Sequence, residues 1–195
     1  MHPAVFLDRD GTMIHEAGYL SRLDDLRWFP WTTEAIRLLN RAGFVVCVTT
    51  NQGGIGLGFF TEAFVAELHG RMTETLEVAG ARVDGWFYCP HHPFAIIETL
   101  RVDCDCRKPR PGLINQAVAR FSIDPTRSFV VGDKLIDVGL AMSTGARGIL
   151  VKTGYGDEVA RAHGGDVPGA AYVATDLMAA VAWILAESRP TTTLV

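Results

Sequence analysis

Short apolar runs alternate with amphipathic stretches along the chain. The apolar runs are rich in β-branched residues and predict six strands, at residues 5–7, 44–48, 86–88, 129–131, 148–151 and 171–173. The stretches between them predict six helices, at residues 32–41, 61–79, 111–121, 136–143, 157–163 and 176–187. Such alternation is typical of a mostly parallel sheet with helices on both faces. We therefore expect an α/β, three-layer, Rossmann-like fold.

Four residues mark predicted helix ends. Thr61 precedes a run of helix formers and fits an N-cap, and Pro111 suits a first helical position. Gly43 and Gly80 fit the glycine that ends a helix in a left-handed conformation.

The length of 195 residues and the apolar fraction of 48% suit one domain with a well-filled core. We assign this domain to residues 1–187 and expect residues 188–195 to be a disordered tail. Residues 13–30 and 89–110 are too long for simple connections, so they are candidates for loops that contact a substrate. The chain has no room for a large cap domain.

Charge and hydrophobicity limit the partners. The net charge of -4 argues against a nucleic-acid-binding surface. No apolar stretch approaches the roughly 18 residues of a membrane span. The chain enters a strand almost at once, without a basic leader or a cleavage site. We therefore expect a cytoplasmic monomer that binds neither nucleic acid nor membrane.

The first predicted strand is followed by two carboxylates, Asp8 and Asp10. Residues i and i+2 of an extended chain point the same way, so both carboxylates project into one space at the carboxyl end of the sheet. Open α/β sheets place their ligands there. Two adjacent carboxylates repel each other unless a cation or a reaction uses them. The alternative is a polar turn after a strand, in which Gly11 supplies the bend.

The second predicted strand leads into Thr50, Asn51, Gln52 and Gly53. A hydroxyl, two amides and a glycine-rich turn can hold phosphoryl oxygens through side chains and backbone N–H groups. A capped turn that leads into the next helix is the alternative interpretation.

Two later segments can place charge at the same edge. Arg107 and Lys108 precede a predicted helix, and both cations can face a ligand above the sheet; a solvated basic turn is the alternative. Asp133 and Lys134 follow the fourth strand, with Asp137 one helical turn further on. Asp133 can instead be a helix N-cap. The order and spacing of the segments together favour a site.

Three of the four cysteines lie near a histidine, in the set Cys89, His91, Cys104 and Cys106. Three sulfurs and one imidazole form a closed tetrahedral Zn²⁺ set, and His91 rather than His92 has the one-residue spacing. We expect zinc to fix the loop of residues 89–106 and thereby to position the two cations that follow it. Free surface thiols are the alternative, whereas a cytosolic setting disfavours a disulfide.

In order and spacing, these motifs resemble the four motifs of the haloacid dehalogenase superfamily of phosphohydrolases. The resemblance implies that Asp8 is a nucleophile that forms an aspartyl-phosphate. It implies that Asp10 protonates the leaving oxygen and then activates the attacking water. Thr50 would bond the transferring phosphoryl group, and Lys108 would offset its charge.

The same resemblance implies a magnesium site. Mg²⁺ would bind the Asp8 carboxylate, the Asp10 main-chain carbonyl and Asp133, an all-oxygen set suited to a hard cation. Lys134 and Asp137 would orient Lys108 and this metal site.

One branch of the superfamily shares further strings with this chain, at residues 8–12, 18–19, 50–52, 89–93, 104–109 and 132–134. They are similar to those of the D-glycero-D-manno-heptose 1,7-bisphosphate 7-phosphatases and the related histidinol-phosphatases, which lack a large cap. The twelve residues between His91 and Cys104 favour the heptose branch, because histidinol-phosphatases have a shorter zinc loop. Gly53 and Leu57 stand where the branch often has a serine and an arginine, and the missing arginine removes a contact available to a second phosphate.

The resemblance implies a Mg²⁺-dependent phosphatase with structural Zn²⁺ that acts on a small sugar phosphate and removes the 7-phosphate of the heptose bisphosphate. A phosphatase for histidinol phosphate or another small phosphomonoester is the first alternative. A non-catalytic phosphate-binding module is the second. It is disfavoured because both carboxylates of the first motif, Lys108 and Asp133 are all present, whereas a decayed enzyme would have lost at least one.

Overall fold

Six parallel strands form one sheet in a computed structural model that describes residues 1–188. The strands are β1 (Ala4–Leu7), β2 (Val45–Asn51), β3 (Gly85–Cys89), β4 (Phe129–Gly132), β5 (Arg147–Val151) and β6 (Ala170–Ala174). Their order across the sheet is β3-β2-β1-β4-β5-β6, and each neighbouring pair is parallel. The predicted sheet is therefore confirmed. Strands β2 and β3 lie on one side of β1 and β4 to β6 on the other, so the strand order switches at β1, where such folds bind ligands.

The six predicted helices are also present, and their ends lie within one residue of the predicted ones. They are α1 (Thr32–Arg41), α2 (Glu62–Val78), α3 (Gly112–Phe121), α4 (Leu135–Thr144), α5 (Gly156–Ala162) and α6 (Leu177–Glu187). The Thr61 side chain caps α2 by accepting the N–H of Phe64. Pro111 is the N-cap residue of α3 rather than its first residue. Gly43 and Gly80 have φ angles of +82° and +69°, as expected of residues that end helices.

Alternate residues of β1 enter opposite halves of the core. Val5 and Leu7 pack with buried side chains of α1, α2 and α6 on one face of the sheet. Ala4 and Phe6 pack with α3 and α4 on the other face. Burial on both faces explains why β1 is a continuous apolar run. The three-layer architecture is confirmed, and no large cap interrupts it.

Strand β2 is longer than predicted at its carboxyl end. Thr49, Thr50 and Asn51 continue the strand because they pair with Phe87, Tyr88 and Cys89 of β3. Thr50 therefore lies within a hydrogen-bonded strand rather than in a turn.

The two long loops contain little regular structure. Residues 13–30 include one short 3-10 helix, Leu23–Asp25, and the loop after β3 includes another, Glu98–Leu100. Within residues 1–188, no helix has both the length and the apolar character needed to cross a membrane. The predicted tail lies outside the described residues, apart from Ser188, whose hydroxyl donates to the carbonyl of Ile184.

Candidate active site

A cleft opens at the carboxyl edge of the central strands. Asp8 directly follows β1, and its N–H donates to the carbonyl of Val131 in β4 at 2.9 Å. Because parallel strands end at one edge, the motifs after β1, β2 and β4 meet there. Among the predicted site residues, the cleft is lined by Asp8, Asp10, Thr50, Asn51, Gln52, Lys108 and Lys134.

Lys108 is a buried cation that bridges two carboxylates. Its Nζ donates to Asp8 Oδ1 at 2.7 Å, to Asp137 Oδ1 at 2.6 Å and to the carbonyl of Thr49 at 2.8 Å. Burial acts to lower the pKa of Lys108, but the charges of Asp137 and Asp8 outweigh it and raise that pKa. Lys108 therefore stays protonated and compensates negative charge beside Asp8.

Asn51 fixes the main chain of Lys108. Its Oδ1 accepts the Lys108 N–H at 3.0 Å, and its Nδ2 donates to the Lys108 carbonyl at 3.3 Å. This reciprocal pair ties the end of the long loop to β2. In the structure, then, the Asn51 amide positions the cation.

Asp133 is fully buried behind Asp8. Its Oδ2 accepts the N–H of Tyr155 at 2.9 Å, whereas no described residue donates a hydrogen bond to Oδ1. Burial, together with the charge of Asp8, raises the pKa of Asp133 to about 7. Gly11 and Gly154 lie so close that a Cβ atom on either would overlap with Oδ2. The wall around this carboxylate is therefore made of backbone.

The carboxylates of Asp8, Asp133 and Asp137 suit a hard cation. Each offers an oxygen, and the three oxygens lie within 4.8 Å of one another. Asp137 is already engaged, because Lys108 binds its Oδ1 and the N–H of Lys134 donates to its Oδ2 at 3.1 Å. Asp8 and Asp133 Oδ1, which accepts no hydrogen bond from a described residue and lies 3.5 Å from Lys134 Nζ, remain available. An all-oxygen pair of this kind fits Mg²⁺.

A polar cluster holds Asp10 at the mouth of the cleft. Gln52 Nε2 donates to Asp10 Oδ2 at 3.0 Å and to Thr50 Oγ1 at 2.8 Å. Arg9 forms an ion pair with the Asp10 carboxylate at 2.9 Å and donates to Gln52 Oε1 at 3.0 Å. Gln52 was predicted to contact substrate. In the structure its Oε1 and Nε2 both already form hydrogen bonds within the protein.

Four residues that make charged or hydrogen-bonded contacts around the cleft are absent from the sequence prediction. Arg9 and Glu16 line it, Tyr155 binds Asp133, and His69 contacts Arg9 from α2. Arg9 could have been identified, because an arginine between two carboxylates at a strand end has obvious partners. His69 could not, since it lies 60 positions away from Arg9 in an ordinary helix.

The predicted zinc ligands converge into one cluster. Cys89 Sγ lies 3.6 Å from Cys104 Sγ, Cys106 Sγ lies 3.4 Å from Cys104 Sγ, and His91 Nδ1 lies 3.1 Å from Cys106 Sγ. A tetrahedron with Zn–S distances of about 2.3 Å has edges of about 3.8 Å, so the spacing and donor set fit zinc. His92 is outside the cluster, and its Nδ1 accepts the N–H of Phe94.

Arg107 and Gly53 connect the loop of the Cys/His cluster to the turn after β2, and neither lines the cleft. Arg107 Nη1 donates to the carbonyl of His91 at 3.0 Å. A Cβ atom on Gly53 would lie 2.9 Å from His92 Cδ2 and 3.2 Å from Arg107 Nη1, so this glycine permits close packing. On the opposite side, Lys134 Nζ contacts Glu16 Oε2 at 2.9 Å and lies 4.7 Å from the ring centre of Tyr155.

Comparisons with known proteins agree with this geometry. Residues 4–141 match the family model of polynucleotide kinase 3 phosphatase, and residues 105–180 match the HAD-hydrolase-like model. A D-glycero-D-manno-heptose-1,7-bisphosphate 7-phosphatase of Thermosynechococcus vestitus is 38% identical over 192 residues, or 96% of this chain and 98% of the relative. The D-glycero-beta-D-manno-heptose-1,7-bisphosphate 7-phosphatase of Escherichia coli K12 is 42% identical over 78% of this chain and 80% of its own.

A solved structure extends the similarity to the fold. The D,D-heptose 1,7-bisphosphate phosphatase of B. bronchiseptica, complexed with magnesium and phosphate, matches with a TM-score of 0.84 and 33% identity over 95% of this chain and 99% of its own. The predicted family resemblance is confirmed. This chain is a phosphatase and belongs to the haloacid dehalogenase-like hydrolases, in the family of the heptose-1,7-bisphosphate 7-phosphatases.

Proposed function

We propose that this phosphatase removes the 7-phosphate of D-glycero-D-manno-heptose 1,7-bisphosphate through an aspartyl-phosphate intermediate. The observation that carries the proposal is the buried bridge from Lys108 to Asp8 and Asp137, next to Asp133 Oδ1, which accepts no hydrogen bond from a described residue. A nucleophile, a fixed cation and a free acidic ligand are what phosphoryl transfer requires.

Asp8 is the proposed nucleophile. Lys108 binds its Oδ1, and no described residue donates a hydrogen bond to its Oδ2, which can attack phosphorus. The new O–P bond forms as the bond between phosphorus and the sugar oxygen breaks. Lys108 remains in place and compensates the charge that spreads over the phosphoryl oxygens. Thr50, whose hydroxyl already accepts from Gln52, can donate its own proton to one of those oxygens.

Asp10 is the proposed acid and base. In the first step its carboxyl group gives a proton to the departing sugar oxygen. In the second step the resulting carboxylate takes a proton from the water that attacks the aspartyl-phosphate. The products are free phosphate, the heptose 1-phosphate and a regenerated Asp8.

Mg²⁺ would be held by the Asp8 carboxylate, the Asp10 main-chain carbonyl and Asp133. When bound, it supplies positive charge opposite the transferring phosphoryl group. Asp133 Oδ1 accepts no hydrogen bond from a described residue, and burial raises the pKa of Asp133 even with Lys134 Nζ 3.5 Å away. Both observations support this placement, because a bound cation would offset the cost of a buried carboxylate.

We propose zinc as the second metal, held by the four-residue Cys/His cluster in a structural role. A closed set of three thiols and one imidazole leaves no open position for chemistry. The cluster requires reduced cysteines, which supports action in the cytoplasm. Both sites are complete within one chain, so the proposed monomer needs no second copy to form them.

The substrate assignment rests on the named relatives and on the basic residues around the cleft. Lys134 lines it, and Arg107 lies near Gly53, beside the turn after β2; both side chains suit an anionic sugar phosphate. Leu57 contributes no charge to the Gly53–Gly58 turn, so Arg107 is the arginine proposed to contact the second phosphate.

The test measures phosphate release from both anomers of heptose 1,7-bisphosphate, from histidinol phosphate and from an aryl phosphate, with and without Mg²⁺. We expect the highest kcat/KM for a heptose bisphosphate and reversible loss of activity on chelation. Faster turnover of histidinol phosphate would overturn the substrate assignment. Tight phosphate binding without release from any substrate would instead favour the non-catalytic module.

A further inference from the structure

A series of contacts connects the cleft, through Arg9, to His69 on the buried face of α2. Arg9 is almost completely buried, and its Nε and Nη2 donate to the Asp10 carboxylate at 3.0 to 3.2 Å. Its Nη2 also donates to Gln52 Oε1. The remaining group, Nη1, lies 3.2 Å from Nε2 of His69. The guanidinium is therefore held on two sides by the site and on its far side by His69.

His69 can only be the acceptor in this contact. Arginine has donors and no acceptor, so Nε2 must be unprotonated and receive the Nη1 hydrogen. Burial, reinforced by the positive charge of Arg9, lowers the pKa of His69 to about 3, which keeps the ring neutral. The ring stacks on Trp86 with centroids 4.4 Å apart, and the edge of Tyr88 lies 6.0 Å away. The aromatic contacts hold the acceptor in place.

Packing alone does not explain a histidine at this position. An apolar side chain could fill the space beside Trp86 equally well, but it would leave a buried Arg9 N–H group without a partner. Rotation of the guanidinium toward another acceptor would relieve this cost. It would also break the paired hydrogen bonds from Arg9 Nε and Nη2 to the Asp10 carboxylate. Reactions tolerate such displacement poorly, because a shift of about 1 Å can reduce the rate by roughly a hundredfold.

We propose that His69 is a positioning residue for phosphoryl transfer, acting through Arg9 to orient the Asp10 carboxyl group toward the leaving oxygen. This inference rests on the proposed function, in which Asp10 is the acid. It assigns no contact between His69 and the substrate.

The leaving group distinguishes positioning from packing. A sugar alkoxide needs a proton as it departs, whereas a nitrophenolate departs readily without one. A misplaced Asp10 should therefore slow release of a sugar and affect an aryl phosphate little. Loss of packing would lower both rates together. The parameter to compare is kcat/KM, because it includes only the steps up to leaving-group release.

The experiment measures kcat/KM for a sugar phosphate and for p-nitrophenyl phosphate in wild type, His69→Leu and His69→Gln. We expect His69→Leu to lower the value for the sugar phosphate roughly tenfold to a hundredfold more than that for the aryl phosphate. His69→Gln restores an acceptor and should recover most of the loss. Asp10→Asn is the reference and should show the same selectivity more strongly.

Trp86→Phe is the matched control. It keeps an aromatic partner for His69 but removes the Trp86 hydrogen bond to Thr73 Oγ1, so it perturbs the same cluster without touching Arg9. It should change both kcat/KM values equally. If His69→Leu does not fold, Arg9→Lys keeps the buried charge, loses the paired hydrogen bonds to Asp10 and applies the same test.

Each outcome has a separate meaning. Equal losses on the two substrates in His69→Leu, or no recovery in His69→Gln, would overturn the positioning role while leaving the proposed function intact. A wild-type protein that releases phosphate from neither substrate would overturn the proposed function itself.

Discussion

The two sides of the cleft are held in place by different means. The carboxyl edge of β1 and β4 places Asp8 and Asp133 directly after buried strands, with Lys108 locked between two carboxylates. The loop of residues 90–106 has one short 3-10 helix and no strand, and Phe94, Ile96 and Val102 are exposed. The sheet therefore fixes the charges proposed to act on phosphorus. The loop is held by a few main-chain hydrogen bonds, such as Ile96 N–H to the Gly56 carbonyl, and we expect it to depend on its Cys/His cluster for order.

This difference separates the general chemistry from the choice of substrate. The residues on the sheet edge would serve any phosphomonoester, because they contact only the transferring group. The loop precedes Arg107 and packs on Gly53, so in the proposed function it borders the space left for the rest of the substrate. Changes on the two sides should consequently have different signatures.

The largest effect should come from Asp8→Asn, which removes the proposed nucleophile at the edge of the sheet. An amide is a poor nucleophile toward phosphorus, so turnover of every substrate should fall by roughly 10⁴-fold or more. The measurement is phosphate release at saturating Mg²⁺, with a melting curve to verify folding. Asp24→Asn, at an exposed position, is the control and should be fully active. Activity of even one tenth of wild type would contradict the covalent mechanism.

Cys104→Ser removes one thiol of the Cys/His cluster and so tests the loop side of the cleft. We expect it to lose zinc and to lower the free energy of unfolding by several kcal/mol, out of the roughly 10 kcal/mol or more that structural zinc contributes in small sites. Elemental analysis and denaturation report these two quantities. His92→Ala is the matched control and should keep about one zinc per chain, because His92 lies outside the cluster. Wild-type protein that contains no zinc when purified without chelators would refute the site.

Arg107→Ala sharpens the comparison, because it changes specificity without touching the sheet edge. Loss of a charged contact to a phosphate should lower kcat/KM for the heptose bisphosphate by about 1–3 kcal/mol in transition-state free energy. The value for an aryl monophosphate should change little. Equal losses on both substrates would place Arg107 with the residues that act on phosphorus.

A smaller effect concerns stability and pH. The pKa of His69 is lowered to about 3, so between pH 3 and 6.5 the unfolded chain binds a proton that the folded chain does not. Folding stability should therefore fall as the pH drops through this range, by about 1.4 kcal/mol at pH 5.5 from this group alone.

Urea denaturation of wild type and His69→Gln at pH 7.5 and 5.5, at saturating zinc, measures this contribution. The variant lacks the titrating ring and should lose less stability on acidification, while all other groups contribute equally to both proteins. Identical losses would show that the ring is protonated in the folded state.

The fold and most of the site could be predicted because their signals are local or strictly periodic. Burial of β1 on both faces requires an unbroken apolar run, and helices covering a sheet need apolar stripes. Parallel strands end at a common edge, so a polar residue after each strand already implies that these residues meet. Cysteine and histidine spacing similarly indicated a cluster before its geometry was known.

The remaining features depend on contacts that no local pattern encodes. The extension of β2 to Asn51 comes from pairing with β3, which lies more than thirty residues later. Asp133 was open to interpretation as an N-cap, but the N-cap of α4 is Lys134, and Asp133 receives the N–H of Tyr155 instead. The contact between Arg9 and His69 likewise exists only once α2 packs on the sheet.

The backbone wall around Asp133 has a consequence for how this enzyme tolerates mutation. Gly11 and Gly154 have φ angles of +82° and +55°, and neither has space for a Cβ atom beside the carboxylate. In a saturation scan scored by activity, both positions should reject even alanine, although neither contributes a side chain to the reaction. An engineer who seeks new substrates should leave these two glycines fixed and vary residues 93–102, between the cluster residues His91 and Cys104, where Phe94, Ile96 and Val102 are exposed.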